Sequence, residues 1–183
     1  MNSAPVQKIA KVLTVLVNIT FVCNLIALPI VPPLVYWRDN PFQFAAKQAL
    51  TGNLFSFWWE GLSKFATKPY TLMLSLFLLF AGTCTAVVLW QGRSVLKTIL
   101  RGEPFSPENA IALKRAAFCG FLISGAALVR VVFSVCYYSS LLPLTSYNAL
   151  FVPIFAMAGL LCLIMSALFR QAAEMKAEND LTI

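Results

Sequence analysis

Long apolar runs and short polar gaps alternate along the chain. Residues 12–35, 69–90, 116–139 and 147–169 are almost wholly apolar, and the gaps between them carry nearly all of the charge. A helix needs about 20 apolar residues to cross the hydrocarbon core, so the pattern predicts four membrane spans. Within them the one ionised side chain is Arg130. Lys8 and Lys11 precede the first run as the charged region of a signal peptide would, but the run is too long for a signal core and no A-x-A-like site follows. It reads as an uncleaved signal anchor. Pro29, Pro32 and Pro33 lie near its end, so regular helix is expected to stop or kink near Leu28.

The gaps have patterns of their own. In the stretch 91–115, helix is expected to continue from the second span to Leu100 and to stop at Arg101-Gly102, where glycine tolerates a left-handed cap. Ser106 then suits an N-cap, Pro107 the first helical position, and Glu108 the positive end of a helix that runs on into the third span. The gap 36–68 is greasy: residues 36–70 hold ten of the 24 aromatic side chains, among them Trp58 and Trp59. Stretches 42–50 and 54–65, broken at Thr51-Gly52-Asn53, predict two short amphipathic helices in the interface, serving as anchors or as a lid. After the fourth span, an Arg170/Glu174 pair at i,i+4 favours about two more turns of helix, which Asn179 can end. Small residues recur at helical spacing: Gly82 and Ala86, Gly120 and Ser124, then Ala158, Cys162 and Ser166. These predict close helix packing in lipid.

Composition sharpens the picture. At 60% hydrophobic and 11% charged residues, against about 25% charged in soluble domains, the chain is built for lipid. There is no histidine, and no Asp or Glu lies in a span, which removes imidazole-based catalysis and the usual intramembrane proton carriers. The five cysteines all fall in spans without a C-x-x-C pair and read as small apolar filler. No metal set, cofactor motif or nucleic-acid signature is legible, and the net charge of +7 is mostly topology signal. With the N-terminus inside, Lys8, Lys11, Arg93, Lys97, Arg101, Lys114, Arg115, Arg170 and Lys176 face the cytoplasm, against Arg38, Lys47, Lys64 and Lys68 outside. The positive-inside rule therefore places both termini in the cytoplasm. Every tyrosine then falls at the outer end of a span, as an interfacial belt.

The Gly102-Glu103-Pro104-Phe105 turn, followed by Ser106-Pro107-Glu108-Asn109, and the ending Glu178-Asn179-Asp180-Leu181-Thr182-Ile183 resemble the bacterial four-span membrane proteins grouped as domain of unknown function 2975. The resemblance runs over nearly the whole chain, apart from the aromatic loop. It implies a bacterial inner-membrane location and, as a partner, a small helix-turn-helix regulator. It implies no catalytic residue.

The expected fold is all-α: a four-helix transmembrane bundle, N-in and C-in, with a cytoplasmic helical hairpin between spans two and three and an aromatic interfacial outer loop. The whole chain is expected to form one membrane domain, in contact with lipids and with its oligomeric state open. The leading function is a non-enzymatic sensor or regulatory partner of a cytosolic protein. Phe105, Arg101, Glu174, Glu178, Asp180, Leu181 and Ile183 are its candidate docking residues, because a basic hairpin and an acidic tail leave the same face. The alternative is a binding protein or carrier for a small anionic ligand, with Arg130 and Tyr137 as candidate contacts alongside the aromatic loop. An intramembrane arginine costs about 2.5–3.5 kcal/mol on insertion scales and needs a reason. It could also snorkel to lipid phosphate or pair with Asp39 or Glu60. A lipid- or quinone-active enzyme fits least, for want of acid–base groups.

Overall fold

The structure is a computed structural model; it describes residues 4–38, 53–64 and 66–180. All regular structure among them is helical. The helices are α1 (Ala4–Arg38), α2 (Leu54–Lys64), α3 (Pro69–Leu100), α4 (Pro107–Tyr138), the one-turn α5 (Leu142–Thr145) and α6 (Phe151–Asp180), with a 3-10 turn at Tyr147–Leu150 before α6. Four of them, α1, α3, α4 and α6, are long and apolar enough to cross a membrane. They have 35, 32, 32 and 30 residues, so each is about 45–52 Å long and outreaches a hydrocarbon core of about 30 Å. Four threonine hydroxyls in the apolar stretches are satisfied locally: Thr14, Thr20, Thr83 and Thr85 each donate to the carbonyl four residues back.

The prolines of α1 do not end it. Helix continues through Pro29, Pro32 and Pro33 to Arg38, which corrects the expected stop near Leu28. Pro33 has no N–H, so the Pro29 carbonyl lacks its helical donor. The indole Nε1 of Trp58, on α2, donates to that carbonyl at 2.9 Å. A neighbouring element thus supplies the missing hydrogen bond, as a proline inside a membrane helix requires. Gly61 seats α2 on the same spot: a Cβ there would stand 2.5 Å from Pro33 Cβ. Glu60 and Lys64 pair along the outer face of α2 at 2.7 Å, which raises the Lys64 ammonium pKa above its ordinary value. The expected helix at 54–65 is therefore present; the one at 42–50 lies outside the described residues.

The long helices pack in chain order, α1 on α3, α3 on α4, and α4 on α6, and among the described residues no closely packed pair joins α1 to α4 or α6. The four long helices of the expected bundle lie, among the described residues, in a row of antiparallel neighbours. Only the middle of the row is well buried, around Cys84, Cys119 and Ile123. The α4/α6 seam is the tightest, since Gly120 and Gly159 meet backbone to backbone: a Cβ on Gly120 would lie 3.3 Å from Gly159 Cα. Ser124 donates to the Val152 carbonyl at 2.8 Å and Ser166 to the Ala110 carbonyl at 2.6 Å. Gly159 and Ser166 thus face α4, while Ala158 points away, which corrects the small-residue stripe expected on the fourth span.

At the α3/α4 turn, Gly102 takes φ +85° as expected of a left-handed cap. Ser106 occupies the N-cap position but makes no side-chain cap, and its hydroxyl is buried without a partner. Asn109 takes over the work expected of it. Its Nδ2 donates to the Pro104 carbonyl at 2.8 Å, and its Oδ1 stands 2.7 Å from the Thr98 hydroxyl. The amide is 1% exposed and ties both helices to the turn.

Candidate functional site

The candidate site lies at the end of the row where the tyrosines gather. Tyr70, in the first turn of α3, packs against Tyr138 at 5.6 Å and Tyr137 at 6.0 Å between ring centroids, at the far end of α4. Two turns deeper, the antiparallel register brings Phe77 opposite Arg130. On α4, Ala127, Val131 and Ser134 share the buried face with Arg130, which is 8% exposed. Its guanidinium lies over the Phe77 ring, 4.9 Å from the centroid, where the negative face of the ring attracts the cation.

That stacking leaves a donor unused. Arg130 Nε is buried with no acceptor. No carboxylate pairs with Arg130 among the described residues: Glu60 is held by Lys64, and Asp39 lies outside those residues. Beside the guanidinium is a cavity of about 520 Å³. Tyr70 comes to it from α3, and Val131, Ser134 and Tyr138 from α4; Ser140, Leu142, Pro143, Ser146 and Asn148 close it from the connection to α6. Ser134 and Ser146 spend their hydroxyl protons on backbone carbonyls, those of Arg130 and Pro143. Ser140 instead accepts from the Leu142 N–H, which leaves its own proton available. The cavity therefore offers the Arg130 guanidinium, the Ser140 hydroxyl and the Asn148 amide, beside apolar wall and the phenol rings of Tyr70 and Tyr138.

The other residues singled out in the sequence lie away from the cavity. Tyr137 does not line the cavity; it is exposed and stacks on Phe133 at 6.0 Å, while the adjacent Tyr138 takes the place in the wall. Phe105 lies against Phe169 of α6 at 5.7 Å, with Arg101 exposed nearby in the chain. Glu174 pairs with Arg170 on its own helix at 2.9 Å, Glu178 is exposed, and Asp180 is the last residue of α6. Leu181 and Ile183 lie outside the described residues.

A family model described as a protein of unknown function, DUF2975, matches residues 60–183, about two thirds of the chain. The chain belongs to the DUF2975 family. The match takes in α3, α4 and α6, with Arg130, Phe77 and the whole cavity, and starts inside α2. Helix α1 and the aromatic loop before residue 60 therefore lie outside it, so the resemblance is shorter than the near-complete one expected. No curated protein and no solved structure matches the chain.

Three parts of this geometry are absent from the expectations drawn from the sequence. Phe77 was within reach, because two antiparallel spans with tyrosines at a shared end must place residues two turns inward opposite each other. Asn109 was read only as part of a helix start, and nothing local distinguishes a bridging amide from a capping one. The contribution of Ser140 and Asn148 depends on how the 140–150 connection folds back, which no periodicity records.

Proposed function

We propose that this DUF2975 protein is a multi-pass membrane receptor that binds a small anionic molecule in the Arg130 cavity, without catalysing its conversion. One observation carries the reading: the buried, unpartnered Nε of an arginine placed inside a span. Cation–π contact with Phe77 offsets part of the desolvation of that charge, and an oxyanion in the cavity would offset the rest with charge-assisted hydrogen bonds. Helix α4 runs unbroken from Arg130 to the turn at 101–106, so occupancy at one end has a stiff path to the other. On this reading the protein is a sensor that reports to a cytosolic partner at that turn, in a bacterial inner membrane; the unbroken α4 and the family resemblance are what support it.

Native mass spectrometry of the protein, extracted in a neutral detergent, tests the reading. Wild-type chains should carry a small-molecule adduct that Arg130→Gln chains, equal in helix content and yield, do not carry. Identical adducts on both would remove Arg130 from ligand binding.

A further inference from the structure

We propose that the ligand of the Arg130 cavity is a singly charged oxyanion borne on an amphiphile, namely the carboxylate of a fatty acid or the phosphodiester of an anionic phospholipid. This rests on the anion-binding reading above and narrows it in two respects, charge and shape.

Charge is limited by the wall. Among the described residues that line the cavity, Arg130 is the sole cation. One guanidinium neutralises one negative charge; a second charge on the ligand would be desolvated without a partner, at a cost that buried ions do not recover. The neutral donors fit the same limit. The Ser140 hydroxyl proton and the Asn148 amide can complete the hydrogen bonding of an oxyanion whose first contact is the guanidinium edge.

Shape follows from position. The cavity lies where Tyr70 and Tyr138 mark the end of the spans, a level at which aromatic rings with polar tips meet the headgroups. Leu142 and Pro143 form an apolar lip, and Leu142 is 76% exposed, so apolar wall continues outward from the polar end. Among the described residues no helix pair closes the row, so the α3/α4 seam is not sealed inside a bundle and an acyl chain could reach it from the bilayer. A water-soluble anion would gain nothing from that lip. An acyl chain lying along it would stay in an apolar environment while its head reached Arg130.

The experiment uses the full-length protein in neutral detergent, stripped of lipid and titrated with one probe at a time under native mass spectrometry. The probes are laurate, dioleoyl phosphatidylglycerol, butyrate and dodecanol. The expected result is one laurate or one phosphatidylglycerol per chain, weakened at least about tenfold by Arg130→Gln and partly retained by Arg130→Lys, which keeps the charge but not the planar fork. Whichever of the two binds identifies the source, a free carboxylate or a lipid headgroup. Ser140→Ala and Asn148→Ala, both beyond the α4 helix, should each weaken the same probe, so the result does not hang on one buried substitution. Butyrate binding as tightly as laurate would overturn the amphiphile while leaving the anion site standing. Dodecanol binding as tightly as laurate, or binding of every probe unaffected by Arg130→Gln, would overturn both readings.

Discussion

At the scale of single residues, two buried polar groups carry most of the information, and they do so in opposite ways. Arg130 is incompletely satisfied, whereas Asn109 is fully engaged. An unsatisfied cation in a span is a cost that the fold would do better without. Replacing Arg130 by Met should therefore raise the thermal unfolding midpoint of ligand-free protein. The removed penalty of about 2.5–3.5 kcal/mol is reduced by the lost Phe77 contact, about 0.5–2 kcal/mol, and the remainder amounts to a few degrees in a chain of this size. The same variant should lose any stabilisation by added anion. A lower midpoint in stripped protein would mean that Arg130 holds the fold together through contacts. For Asn109 the sign reverses. Asn109→Ala leaves the Pro104 carbonyl without its donor and should cost about 1–3 kcal/mol. Thr98→Val added to it should cost little more, because both act in one network; unfolding of the two single variants and the double would show that non-additivity.

At the scale of elements, α1 and α2 depend on each other. The three prolines leave α1 short of donors, and the indole of Trp58 supplies one of them. Gly61 permits the approach, and alanine there would force its Cβ to within 2.6 Å of Pro33 Cα, which is backbone and cannot give way. Gly61→Ala should therefore lift α2 from α1. In a variant that keeps Trp58 as its single tryptophan, the emission should move to the red and acrylamide quenching should rise. Unchanged emission would show that α2 is held elsewhere. The seam between α4 and α6 needs no such brace, since it closes on Gly120 and Gly159 and on two serine-to-carbonyl hydrogen bonds.

At the scale of the whole molecule, the open row is the feature that controls access to the cavity. It predicts which helices can be cross-linked in a version with the five native cysteines replaced by alanine. Leu28→Cys with Gly82→Cys, where α1 meets α3, should be bridged by a short bismaleimide; Leu28→Cys with Ile154→Cys, on α1 and α6, should not. Bridging of the second pair would mean that the row closes into a bundle. Orientation is a separate property, expected from the basic residues alone. Ser63→Cys on α2 should react with an impermeant thiol reagent added outside intact cells, and Ser94→Cys on α3 should not. The reverse labelling would place the Arg130 cavity at the cytoplasmic face.

Apolar run length by itself determined that there are four long helices, because a hydrocarbon core sets a minimum length and a sequence either meets it or does not. The caps were legible for a similar reason: Gly102 and Pro107 have local backbone preferences that hold in any surroundings. The extension of the last helix to Asp180, with its Arg170/Glu174 pair, was legible too. What depended on neighbours was not. Whether the prolines of α1 break the helix was decided by a tryptophan 29 residues away in sequence. Whether Gly159 or Ala158 meets α4 was decided by the rotation of one helix against another, and in lipid, helices that are apolar all round give little hint of that rotation. Arg130 stood out in the sequence as a charge in a span, but its burial, its stacking on Phe77 and the cavity beside it come from two helices and a connection meeting at one end. A chain that is apolar on every face conceals which face is the inner one, so the tertiary structure had to decide what surrounds its single intramembrane charge.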